Sequence, residues 1–234
     1  MDVAHRRWDQ DWFRLIPSRF PPVDVYRRLP PPIRAAAPDV EARTNPRLAA
    51  KARLTGGPAA VDENSPRLQN WNHAPFAYTN PEGSYLLSSI HGAMEVADSE
   101  EGALAGAIRR REIFLSRTSE PPLDLDMRLL STRIAGEFAD LTTMPLDASQ
   151  ATRWQIGQQL LDAGWAGAVF RRAERPDAQF LSVFDAALLE RSVQATHYRF
   201  VWDGTVVKSV YDFGTGREIK RGDLLVDDTS REAA

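Results

Sequence analysis

The sequence predicts an α+β fold: a mixed β-sheet with flanking helices, behind a proline-rich N-terminal region. Three observations predict it. Tyr198, Phe200 and Trp202 alternate, Asp203-Gly204 suits a type I′ turn, and Val206 to Phe213 returns, which together read as a hairpin. Strand and helix patterns follow one another irregularly, without the repeated βαβ units of a parallel sheet. Most of the 16 prolines lie between Pro17 and Pro81, and Pro30-Pro31-Pro32 speaks against long regular elements there.

Taken in order, Met1 to Asp11 is polar and reads as an N-terminal tail, followed by one domain over residues 12–213. Asp39 to Leu54 has helix-forming composition broken at Asn45-Pro46, and Gly56-Gly57-Pro58 reads as a loop. Ala93 to Ala97 suits a short strand. Asp98 and Ser99 are both good helix N-caps, and Glu101, three after Asp98, completes a capping-box pattern. That helix runs to about Leu115, with Leu104, Ile108 and Leu115 near one face and Arg109 to Glu112 mostly solvated. Leu125, Met127 and Leu129 alternate as in a half-buried strand. Asp147 or Ser149 opens a second helix in which Trp154, Gly157 and Leu161 share a face, and Gly164 stops it. Ala166 to Phe170 and Gln179 to Phe184 are two further strands, and residues 214–234 form a charged, partly disordered tail.

Composition bounds the function. A 43% hydrophobic content is enough for a real core. A net charge of -3, from 29 Lys and Arg against 32 Asp and Glu, excludes a general nucleic-acid binder. No apolar run approaches the roughly 20 residues that span a bilayer, and the N-terminus lacks a signal-peptide core, so no membrane partner is expected and the expected location is the cytoplasm. Zero cysteines exclude disulfides and thiolate chemistry, and the four histidines are too scattered for a metal site, so no metal is expected.

Four segments occurring in one order carry a family resemblance. They are Phe13-Arg14-Leu15-Ile16 with Arg19-Phe20-Pro21-Pro22; Thr44-Asn45-Pro46-Arg47-Leu48; Ala74-Pro75-Phe76 and Asn80-Pro81-Glu82-Gly83-Ser84 leading to Ala97-Asp98-Ser99; and Glu120 to Arg128. Ser149-Gln150-Ala151 and Tyr198 to Gly204 support them. Over residues 13–211 the chain resembles the longer class of RES-domain proteins, the NAD-degrading toxins of toxin-antitoxin systems. The resemblance implies an ADP-ribosyltransferase-like fold, cleavage of NAD at its nicotinamide bond by phosphate or water, and restraint by a helix-turn-helix antitoxin. No cofactor is implied; NAD enters as substrate or ligand.

That chemistry asks for particular groups. An arginine fork suits pyrophosphate oxygens. A carboxylate stabilises the positive charge that builds on the ribose as the bond breaks. A tyrosine can stack on the nicotinamide, and a small hydroxyl can orient its amide. Carried over residue by residue, the resemblance puts its first arginine on Arg14. Its second arginine falls on Tyr85, its tyrosine on Glu95, its glutamate on Gly106, its serine on Asp147 and a small polar position on Arg172. Arg14 then reads as a pyrophosphate ligand or as a structural arginine bonded to loop carbonyls. Glu95 reads as a relocated acid or as a solvent-facing strand residue, and Asp147 is a second candidate acid. Three functional readings follow: a family member with weak or lost NAD cleavage, an active enzyme using Glu95 or Asp147, or a non-catalytic module binding an antitoxin or a related subunit. Tyr85 or Arg172 filling the cleft would exclude NAD physically.

Overall fold

The computed structural model describes residues 3–18, 30–45, 51–55, 60–62 and 64–226. Arg19-Phe20-Pro21-Pro22, Pro46-Arg47-Leu48, the Gly56-Gly57-Pro58 loop and residues 227–234 lie outside the described residues.

Among the described residues eight strands form one mixed sheet in the order β1-β2-β5-β4-β3-β6-β7-β8. They are β1 (His5–Pro17), β2 (Met94–Ala97), β3 (Leu123–Leu141), β4 (Gly167–Arg172), β5 (Arg175–Val183), β6 (Val193–Trp202), β7 (Val207–Asp212) and β8 (Arg217–Lys220). Only β3 and β4 run parallel, over Ala139–Leu141 and Ala168–Phe170; the other pairs are antiparallel. The predicted mixed sheet is therefore present. Because β1 also pairs with β3 from His5↔Ala139 to Pro17↔Met127, strands β1, β2, β5, β4 and β3 close into a ring.

Residues 5–11, expected as a tail, are thus part of the sheet. Their outward residues Arg7, Asp9 and Asp11 are polar and exposed, while Trp8 and Trp12 turn inward, and the partner strand lies more than a hundred residues away. At the other end, β8 and a short helix over Arg221–Leu224 stand where the charged, partly disordered tail is expected to start. The hairpin is present with a different turn. Gly204 has φ 103° but no non-glycine residue among the described residues has positive φ, so Asp203 does not take the left-handed conformation that type I′ demands. Instead Asp203 Oδ1 accepts hydrogen bonds from the backbone N–H groups of Thr205 (2.8 Å) and Val206 (2.9 Å).

Helices used below, among the described residues, are α1 (Pro31–Thr44), α2 (Asn70–Ala77), α3 (Glu100–Leu115), α4 (Gln150–Asp162) and α5 (Arg221–Leu224); residues 51–55 are also helical. Helix α1 starts inside the triple proline, which corrects the expectation that these residues forbid a regular element. Proline fits the first turn of a helix, where its missing N–H has no acceptor to serve. Ser99, not Asp98, caps α3: its Oγ accepts from Gly102 N at 3.2 Å, which leaves Glu101 out of capping-box register. Ser149 caps α4 in the same way, and Gly164 beyond its end has φ 78°. No helix among the described residues is long and apolar enough to cross a membrane.

The apolar residues form two clusters on opposite faces of the ring wall. One, containing Trp12, Val96, Ile134, Phe138 and Leu181, fills one side. The other, containing Leu15, Ala97, Leu129, Phe170, Phe180 and Phe200, packs under α3 through Leu104 and Ile108. Helix α2 is pinned by a buried polar chain. Thr132 donates to Ser192 Oγ (2.5 Å), Ser192 donates to Asn72 Oδ1, and Asn72 Nδ2 donates to Glu190 O (2.8 Å). Replacing Ser192 with alanine leaves the Asn72 carbonyl without its donor; chemical denaturation is expected to show a loss of about 1 kcal/mol. An unchanged midpoint would show that the chain is not holding α2.

Candidate functional site

The described cleft opens where β1 and β2 part. The two strands share a single paired position, Phe13↔Ala97. Beyond it Arg14 on β1 and Glu95 on β2 turn toward α3, whose Gly102, Ala103 and Gly106 form the floor. Arg110 one turn further along α3, Arg172 at the end of β4 and Phe180 on β5 complete the wall. The glycines let the helix sit low: a Cβ at Gly102 would lie 3.0 Å from the Cβ atoms of Ala97 and Ala178.

Arg14 is in the cleft, and one of its terminal nitrogens donates to the carbonyl oxygen of Trp71 on α2. Its Nε is buried without a hydrogen-bond partner among the described residues. Burial, and then the neighbouring Arg110 charge, pull Arg14 down to about 10. Arg110 is likewise lowered by burial, with Glu95 opposing and Arg172 adding to the shift.

Glu95 is not a solvent-facing strand residue; only 11% of its side chain is exposed. Its Oε1 accepts the backbone N–H of Tyr85 at 2.5 Å. Its Oε2 lies 3.4 Å from Arg110 and 3.7 Å from Arg172. Alternation along a strand of four residues does not reveal this, because the three groups that bury Glu95 come from a loop, a helix and another strand. Arg172 has 9% of its side chain exposed and places its Nε 2.6 Å from Glu174 Oε1. Its guanidinium also lies over Phe180 (5.2 Å) and Tyr85 (4.9 Å).

Tyr85 stands beside this network in a cage. Its ring stacks on Phe170 with centroids 4.5 Å apart and planes 4° from parallel. Arg153 lies over it at 4.3 Å, and its hydroxyl donates to Arg171 O at 3.4 Å. Burial pushes the phenol above its ordinary value, with Arg153 and Arg172 opposing. Gly106 has room taken from it rather than spare: an added Cβ would meet Phe180 at 3.3 Å and Arg172 at 3.6 Å. Asp147 is exposed in the turn before α4 and does not line the cleft. The structure thus brings Arg14 and Glu95 together, sets Tyr85 behind them and leaves Asp147 outside.

Arg110 belongs to the site although the sequence places it on a solvated face. The spacing Gly102, Gly106, Arg110 was the available signal, since residues four apart share a helix face. The open space totals about 220 Å³ when the solvent at its mouth is counted. Three guanidinium groups and one carboxylate line it.

Asp98, at the entry to α3, carries a further expectation. Its Oδ2 accepts from Gln179 N at 3.1 Å, and burial raises its titration above the ordinary carboxylate value, against the hydrogen bonds it accepts. A raised native value means that stability is full below the unfolded value and falls as pH rises through the native one. Asp98→Asn is therefore expected to melt higher than the parent at neutral pH. That advantage should vanish in acid; a constant difference in Tm across pH would contradict it.

The family model of the RES domain matches residues 64–203. An uncharacterized protein, y4oC, of Sinorhizobium fredii (strain NBRC 101917 / NGR234) is 44% identical over 212 residues, covering 90% of this chain and 91% of that protein. Among solved structures, the crystal structure of the M. tuberculosis MbcT-MbcA toxin-antitoxin complex aligns over 82% of this chain and 86% of the solved one, with 12% identity and a TM-score of 0.43.

Proposed function

The chain belongs to the RES-domain family, and from that premise we propose that it is a member in which NAD cleavage is weak or lost. One observation carries this reading: the cleft that holds Arg14 is occupied by the protein's own ion network. Glu95 spends one carboxylate oxygen on the Tyr85 N–H and the other between Arg110 and Arg172. Arg172 in turn occupies the space beside Gly106 where the family's pattern has a glutamate. A dinucleotide has to displace these groups, and each displacement exposes a buried charge at a cost of several kcal/mol.

Purified full chain incubated with NAD and phosphate tests it, with nicotinamide release followed by chromatography. Release at the rate of the buffer blank is expected; sustained turnover overturns the reading. A second reading has one observation in its favour, that Glu95 lines the same cleft as Arg14. Under it, turnover is present and Glu95→Gln removes it while the protein stays folded. The helix-turn-helix antitoxin that the resemblance implies belongs to this proposal as a partner, and co-purification of the chain with such a protein supports it.

A further inference from the structure

We propose that strand β8 is a docking edge for a second copy of this chain, the two β8 strands pairing antiparallel about a two-fold axis that passes through Ile219. The free edge is the first reason. Among the described residues each of the other seven strands pairs with at least two neighbours, and the β1–β3 pairing closes the far side of the sheet. Strand β8 pairs with β7 alone, in an unbroken register from Ser209↔Lys220 to Asp212↔Arg217. Its outer row of backbone N–H and C=O groups is unpaired within the sheet, and such a row is a template for another strand. Neither a proline nor a bulge blunts it.

Charge is the second reason, and it selects the occupant. The strand reads Arg217-Glu218-Ile219-Lys220. Residues directly opposite in an antiparallel pair share a face of the sheet, so a two-fold axis normal to that sheet passes through a residue and not between two. Centred on Glu218, the axis sets that carboxylate against its own copy. Centred on Ile219, it sets Glu218 of each chain against Lys220 of the other, and two opposite-charge pairs form. Those charges are unspent. Arg217, Glu218 and Lys220 are exposed, Glu218 meets the neutral Ser209 hydroxyl at 2.5 Å, and no carboxylate pairs with Arg217 or Lys220 among the described residues. Beyond Lys220 the chain turns into α5, where the charge of Arg221 is already answered by Glu112 at 3.0 Å.

The surface beside the edge is the third. Tyr211 lies opposite Glu218 and shares its face. It is 38% exposed and packs edge-on, at 5.2 Å, against Phe213, which is 48% exposed. Two-fold pairing sets one such aromatic pair on each side of the seam and withdraws from water apolar surface that the single chain leaves open. Four residues a side make a short contact, so the dimer is weak and concentration-dependent, as small interfaces are.

Sedimentation equilibrium of the full chain, from the micromolar to the submillimolar range, tests this, with circular dichroism checking that each variant is folded. A monomer–dimer equilibrium is expected that stops at two copies and weakens as salt is raised. Glu218→Lys and Lys220→Glu should each weaken it at least about tenfold, equivalent to 1.4 kcal/mol, because either change turns both attractive pairs into like-charge pairs. An equimolar mixture of the two variants should dimerise again, since one copy then carries two cations at these positions and the other two anions. A fold damaged by either substitution would not recover on mixing, so the mixture separates a lost contact from a lost structure. A monomer at every concentration overturns the inference, as does a dimer indifferent to both substitutions or an assembly that grows beyond two copies. None of these outcomes depends on whether NAD is cleaved.

Discussion

Glu112→Ala is expected to destabilise the fold by about 3 kcal/mol, measured by chemical denaturation. The sequence places Glu112 on a solvated helix face, whereas its side chain is only 7% exposed. Its Oε1 accepts from Val207 N at 3.0 Å and from Arg221 Nε at 3.0 Å, and its Oε2 accepts from an Arg221 terminal nitrogen at 3.3 Å. One carboxylate thereby joins the end of α3 to the start of β7 and to α5. Removing it leaves the fully buried Val207 N–H without an acceptor and takes the counter-charge from Arg221. Breaking a buried pair from one side costs about 3–5 kcal/mol, and the low end applies because Arg221 is 21% exposed and can turn to water. Glu112→Gln keeps the acceptor for Val207 and should cost less. A Glu112→Ala protein as stable as the parent would show that the three elements are held by apolar packing alone.

Gly157→Ala is the second large effect. In an open helix the change stabilises by about 1 kcal/mol. Here an added Cβ would lie 1.8 Å from Leu86 O, 2.8 Å from Leu86 C and 3.0 Å from Leu87 Cδ2. A clash with backbone is not relieved by a rotamer change, so overpacking at or above the upper part of its usual range of about 1–3 kcal/mol outweighs the propensity gain. A net loss of about 2 kcal/mol or more is expected. Trp154 Nε1 donates to Ser84 O at 3.0 Å, so the displaced segment also carries Tyr85. Tryptophan fluorescence should therefore shift along with the melting temperature; a stabilised variant with an unchanged spectrum would contradict the close approach of α4.

What was legible in the sequence was local. The β6–β7 hairpin, β2, the start of α3 near Asp98-Ser99 and the stop of α4 at Gly164 each depend on residues within a few positions of one another. The hairpin's turn was read only in part, because Asp203 serves as a hydrogen-bond acceptor for the loop instead of adopting a left-handed conformation. Strand β1 hid because its outward face is charged and its partner β3 is distant in sequence. Glu112 reads as solvated because its partners Val207 and Arg221 lie about a hundred residues further on. The site divides the same way. Arg14 and Glu95 were found through an ordered set of motifs, and the structure puts both in one cleft. Arg110 does not stand out, because a run of three arginines looks like a helix surface. Asp147 comes only from register with a motif, and a turn residue three positions before the helix that starts at Gln150 has no reason to face a cleft built by β1, β2 and α3.

The proposed loss of NAD cleavage rests on a cleft filled by its own residues. Titrating NAD into the full chain by calorimetry measures this without requiring any chemistry to occur. Under the proposed reading no saturable heat is expected into the millimolar range, because the ion network of Glu95, Arg110 and Arg172 fills the cleft beside Arg14. Saturable binding of NAD in the micromolar range would contradict the account.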